Sequence, residues 1–122
     1  MKNLFIQATN KSPEIDFRTE GVLNIKGISI LENAHDFYQK PVEWLRDYIL
    51  NPAPKTIVNF ALDFFNTSSQ VHIFEIISLL SDLKGLGYEV QINWYYSDED
   101  FKDLGQDLSQ FIGLPFSYYK IE

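Results

Sequence analysis

Residues 56–70 read TIVNFALDFFNTSSQ. Over 56–65 the side chains are β-branched, aromatic and mostly apolar on both alternating faces, which predicts a central strand covered on both sides. The polar run at 66–69 then breaks the pattern. Beyond it, Ile73, Ile76, Ile77, Leu80 and Leu83 recur at helical spacing, with Val71 and Phe74 beside them. That predicts a helix over about 69–85, apolar on most of its circumference and closed at Leu86-Gly87. A buried strand feeding a buried helix through a short polar turn is the unit from which α/β sheets are built.

The flanks extend this unit in both directions. Upstream, Tyr38, Val42, Leu45 and Ile49 are spaced by four, three and four residues, with Phe37, Trp44 and Tyr48 widening the stripe. Pro41 interrupts it, so the expected arrangement is a short turn at 34–38 and a main helix with Pro41 as its first residue. NPAPK, residues 51–55, ends that helix. Before it lie three extended segments: Leu4-Ile6-Ala8, Ile15-Phe17, and Val22-Leu23-Ile25 after the Glu20-Gly21 turn, the third broken at Gly27. Downstream, YEVQINWYY (88–96) reads as a strand. DEDFKDLGQDLSQFIG (98–113) reads as an acidic amphipathic helix with Phe101, Leu104, Leu108 and Phe111 inward, and FSYYKI as a last strand. The order β-β-β-α-β-α-β-α-β predicts one α/β domain over residues 1–122, a mixed β-sheet with about three helices packed on it.

The bulk composition agrees. The 122 residues are 45% hydrophobic and 22% charged, with ten Phe, seven Tyr and two Trp, a chain able to form its own core. No run is long enough for a membrane span, the N-terminus does not read as a signal peptide, and the absence of cysteine excludes disulfide scaffolds and thiolate chemistry. A cytoplasmic protein fits. Residues 1–62 carry seven Lys/Arg and seven Asp/Glu, whereas residues 63–122 carry three and ten. All of the net charge of −7 therefore lies in the second half. Such a surface repels phosphate backbones and anionic lipid, so nucleic acid and membrane are poor partners and basic proteins better ones.

Most catalytic signatures are missing. The six glycines make no phosphate-cradling loop, and no nucleophile elbow is present. His35 and His72 lack zinc-type spacing; they read as a residue of the first helical turn and one on an exposed helix face. Asp98-Glu99-Asp100 and Asp103 lack the calcium-loop glycine, and Lys102 stands among them; acids at a helix start are explained by the dipole. No cofactor is expected. What stands out is Asn66-Thr67-Ser68-Ser69. Capping explains one of these residues, whether Thr67 paired with Gln70 as a capping box or Asn66 or a serine. Four in a row exceed that need, which leaves room for a functional hydroxyl. A helix N-terminus tolerates a phosphate, and attaching one adds about −1.5 to −2 charges.

Four blocks carry a family resemblance: IKGISILENAHDFYQKPVEWLRDYI (25–49), FALDFFNTSS (60–69), INWYYSDED (92–100) and GLPFSYY (113–119). In this order and spacing the chain resembles the SiaC-type regulatory phosphoproteins of bacteria, from about Val22 to Tyr119. The resemblance implies an architecture like the anti-anti-sigma (STAS-like) domains and a binding module, not an enzyme. It implies Thr67 as phosphoacceptor, a dedicated Ser/Thr kinase, and a metal-dependent Ser/Thr phosphatase. The unmodified form would bind and activate a diguanylate cyclase, raising cyclic di-GMP and promoting biofilm. Asn66, Ser68, Ser69, Glu32, Asn33, Tyr38 and Tyr95 are the accompanying candidates for partner binding. Asn33 also reads as a helix cap and Tyr38 as core, while alternation sends Tyr95 to the face opposite Trp94 and Tyr96. Two other readings stand beside this one: an anti-anti-sigma-like module on a kinase-fold partner without a cyclase, and a small enzyme assembled from scattered carboxylates.

Overall fold

Burial alternates along the strands that carry the core, and apolar residues recur every three to four positions along the helices. The computed structural model describes residues 1–121. In chain order they form β1 (Leu4–Ile6), β2 (Glu14–Phe17), β3 (Val22–Ser29), α1 (Ala34–Leu50), β4 (Lys55–Phe65), α2 (Thr67–Gly85), β5 (Glu89–Tyr96), α3 (Glu99–Ile112) and β6 (Phe116–Lys120). The six strands make one sheet in which spatial order equals chain order. Strands β1, β2 and β3 pair antiparallel, and β3 through β6 pair parallel.

Parallel neighbours need crossovers, and right-handed crossovers that all step in one direction place their helices on one face. The expected double cover of β4 is corrected accordingly. Thr56, Val58, Phe60 and Leu62 are buried, whereas Ile57, Asn59 and Ala61 on the other face are half-buried. The covered face packs Ile15, Phe17, Leu23, Ile25, Val58, Phe60, Ile92 and Trp94 against the inner stripes of the helices. The uncovered face satisfies its polar groups laterally. Gln91 Nε2 donates to Asn93 Oδ1, Asn93 Nδ2 to Asn59 Oδ1, and Asn59 Nδ2 to Asn24 Oδ1, at 3.0, 2.9 and 2.8 Å.

Three local expectations are also corrected. Helix α1 runs unbroken through Pro41, with no separate turn at 34–38. Proline there forfeits one backbone hydrogen bond, but Ala34, Tyr38, Val42 and Leu45 share one buried stripe, and that burial outweighs the loss. Strand β3 continues past Gly27, whose φ of 117° glycine adopts at little steric cost. Just beyond, Gly27 faces Leu62 and Ile28 faces Phe64, so Asp63 is an extra residue on β4. This bulge inverts the alternation, turning Phe64 outward and Phe65 into the core. Finally, Phe111 does not face inward: it is 79% exposed at the end of α3.

Candidate functional site

The turn between β4 and α2 sits where the parallel strands end, beside the exit of β3. The bulge brings Phe65 opposite Ser29, and Asn66 N–H then donates to Ser29 O at 2.9 Å. Helix α2 needs its free N–H groups satisfied. Asn66 does this: its Oδ1 accepts from Ser69 N at 3.0 Å, and its carbonyl takes the first intrahelical bond from Gln70 N. The capping residue is therefore Asn66, and Thr67 is the first residue of the helix.

The other polar groups of the turn are tied to the same strand exit. Asn66 Nδ2 donates to Leu31 O at 3.0 Å, and Ser68 Oγ donates to Leu31 O at 2.7 Å. Ser69 is wholly buried, and its hydroxyl accepts from Ser29 Oγ at 2.7 Å. Ser29 Oγ in turn lies 2.7 Å from Tyr38 Oη. Burial pushes the Tyr38 phenol up to about 12. Thr67 alone of the four is left out. It is exposed, and its hydroxyl enters none of the side-chain hydrogen bonds of the turn.

The sequence-selected residues therefore separate by position. Asn66, Thr67, Ser68 and Ser69 form one turn, and Glu32 and Asn33 lie exposed on the segment leading into α1. Asn33 occupies the cap position but does not cap; its Nδ2 donates to Asp36 Oδ2 at 2.8 Å. Tyr38 and Ser69 are interior, so any influence they have on a partner acts from inside. Tyr95 points to the uncovered face of the sheet, stacked on Tyr119 with ring centroids 5.2 Å apart, while Trp94 and Tyr96 are buried on the helix side. His72 is a further correction: it is not on an exposed face but mostly buried, stacked on Tyr38 at 5.5 Å with His35 5.8 Å away. Among the described residues no group of three or more metal-type side chains converges.

Several neighbours of the turn escaped sequence reading. Thr67, Gln70, Val71 and Phe74 line an open cleft of about 260 Å³ that is mostly apolar. Phe111 packs on Phe74 at 5.5 Å and extends the apolar strip, and Phe64 and Ile30 are exposed near the strand ends. Adjacent phenylalanines face opposite ways in any strand, so Phe64-Phe65 gave no sign of the bulge. Ser29, a lone hydroxyl in the apolar run GISIL, was a weak signal.

Residues 6–121 match the family model for SiaC family regulatory phosphoproteins. An uncharacterised protein of Pseudomonas aeruginosa (strain UCBPP-PA14) is 25% identical over 121 residues, covering 96% of this chain and 95% of that one. The crystal structure of apo-SiaC from Pseudomonas aeruginosa superposes with a TM-score of 0.90 at 23% identity, over 98% of this chain and 99% of that one. The crystal structure of the diguanylate cyclase SiaD in complex with its activator SiaC, from the same organism, contains a chain with a TM-score of 0.87 at 23% identity. There the coverage is 97% of this chain and 99% of that one.

Proposed function

This chain belongs to the SiaC family of regulatory phosphoproteins, and we propose that it is a non-enzymatic signalling adaptor switched by reversible phosphorylation of Thr67. The observation that carries the assignment is the division of labour in the turn. Asn66 caps, Ser68 and Ser69 are bonded to the exit of β3, and Thr67 offers a free, exposed hydroxyl. Transfer of the γ-phosphoryl group of ATP to Thr67 Oγ1 breaks the bond to ADP and releases the hydroxyl proton to the kinase's base. Hydrolysis by a phosphatase restores the hydroxyl and yields inorganic phosphate.

In this reading the unmodified form binds and activates a diguanylate cyclase; the choice of a cyclase as partner is supported by the activator role that the SiaC of Pseudomonas aeruginosa holds toward SiaD. Among the described residues no Lys or Arg lines the cleft around Thr67: Gln70, Val71 and Phe74 are its other lining residues. A partner that closes over this surface without presenting Arg or Lys would strip water from a phosphate without replacing it. An unpaired buried charge at an interface costs about 2–5 kcal/mol, roughly 30- to several-thousand-fold in affinity. The helix dipole returns at most about 1 kcal/mol, much of it already present in the free phosphoprotein.

Titration calorimetry against the candidate cyclase tests this with three forms. Thr67→Ala should bind like the unmodified protein, the phosphorylated protein far more weakly, and Thr67→Asp in between. Equal affinities would remove Thr67 from the interface, and tighter binding of the phosphoprotein would reverse the switch. Binding to a kinase-fold protein with no response from any cyclase would favour the anti-anti-sigma-like alternative.

A further inference from the structure

Three hydroxyls stand side by side at the start of α2, and the assignment above uses one. Nothing in the local sequence explains why a kinase should pass over Ser68 and Ser69. The hydrogen bonds behind the turn do. Ser29 has a single hydroxyl proton, and it is directed to Ser69 Oγ. The 2.7 Å contact between Ser29 and Tyr38 must then have Tyr38 as donor. The chain runs Tyr38 O–H to Ser29, then Ser29 O–H to Ser69, with all three residues wholly buried. Ser29 also holds Asn66 through its carbonyl, and Leu31, two residues further on, holds Ser68. One strand exit thus bonds the side chains of Asn66, Ser68 and Ser69 but not the Thr67 hydroxyl.

We infer that Ser29 and Tyr38 are positioning residues that set which hydroxyl is phosphorylated. They occupy Ser69 inside the core and hold the turn in the register that keeps Ser68 on Leu31. Neither side chain reaches the surface, so they act through Ser69 and the turn. This inference rests on Thr67 being the acceptor.

The test uses the full-length wild type, Tyr38→Phe and Ser29→Ala, each incubated with ATP and the kinase that phosphorylates the wild type. Phosphate is placed by fragmentation mass spectrometry, with initial rates and melting temperatures measured on the same samples. The wild type should carry phosphate on Thr67. Both variants should modify Thr67 about tenfold more slowly, the scale of one lost buried hydrogen bond, and should carry phosphate on Ser68 or Ser69 as well. Ser29→Ala, which removes the central member, should redistribute more than Tyr38→Phe. A merely structural role would lower the melting temperature and leave the phosphate on Thr67, and that result overturns the inference. Wild-type phosphate on Ser68 or Ser69 instead overturns the Thr67 assignment, and the inference with it. If Ser29→Ala does not fold, Tyr38→Phe, which loses a single oxygen, carries the same test.

Discussion

Asn66 uses both ends of its amide, Oδ1 on the helix and Nδ2 on the carbonyl of Leu31. Asn66→Ala should cost about 0.5–2 kcal/mol, the range of a lost N-cap. At about 4 °C per kcal/mol, calorimetry should record a fall of about 2–8 °C. Asn66→Asp keeps the acceptor and loses the donor, so it should fall less. Tyr38 gives a prediction in pH. Its phenol, raised from 10.0 to about 12, binds its proton more tightly folded than unfolded. The corresponding stability is complete below pH 10 and lost as pH rises from about 10 to 12, at most about 3 kcal/mol. Wild type should therefore lose melting temperature over that window faster than Tyr38→Phe; parallel curves would refute the assignment. The turn was legible as a capping cluster because capping residues announce themselves locally. Which residue caps was not legible, since that depends on where Ser29 and Leu31, some 35 to 40 residues away, come to lie.

At the scale of elements, helix α3 meets the sheet at Gly105. A Cβ there would lie 2.6 Å from Cε2 and Nε1 of Trp94, a fully buried ring whose Nε1 also donates to Phe101 O at 3.0 Å. Helix propensity alone would make Gly105→Ala stabilising by about 1 kcal/mol. The clash opposes it with about 1–3 kcal/mol of overpacking, and the ring, stacked on Phe101 and Phe116, has little room to move. Net destabilisation in denaturant titration is expected, and a stabilised variant would show that α3 can lift off Trp94. Hydrophobic period revealed every helix and strand, because it reports the face an element buries. It failed at Pro41 and at Asp63, where one residue's backbone preference was overridden by its neighbours' burial or by pairing with the adjacent strand. It also failed for Phe111, which continues the apolar stripe of α3 beyond the surface α3 buries.

At the scale of the whole molecule, the seven excess negative charges belong to residues 63–122, which include α2 and α3. Long-range attraction of a basic partner should act on encounter more than on dissociation. Stopped-flow association with the proposed cyclase partner should slow by roughly tenfold or more between low and high salt, with the off-rate nearly constant. An on-rate indifferent to salt would mean that this charge does not steer binding. The sequential strand order carries a different consequence, for how the chain is made. Each new strand has its neighbour already synthesised: β4 can add to β3, β5 to β4, and β6 to β5. Domains form from the N-terminus as the chain emerges. Ser29, Leu31, Tyr38 and Asn66 through Ser69 all precede residue 70, whereas α3 and β6, which cover Trp94, come last. The groups that shape the turn at Asn66 through Ser69 are thus all in hand before residues 71–122 are translated, and the acidic helix follows a turn whose hydrogen-bonding partners already exist.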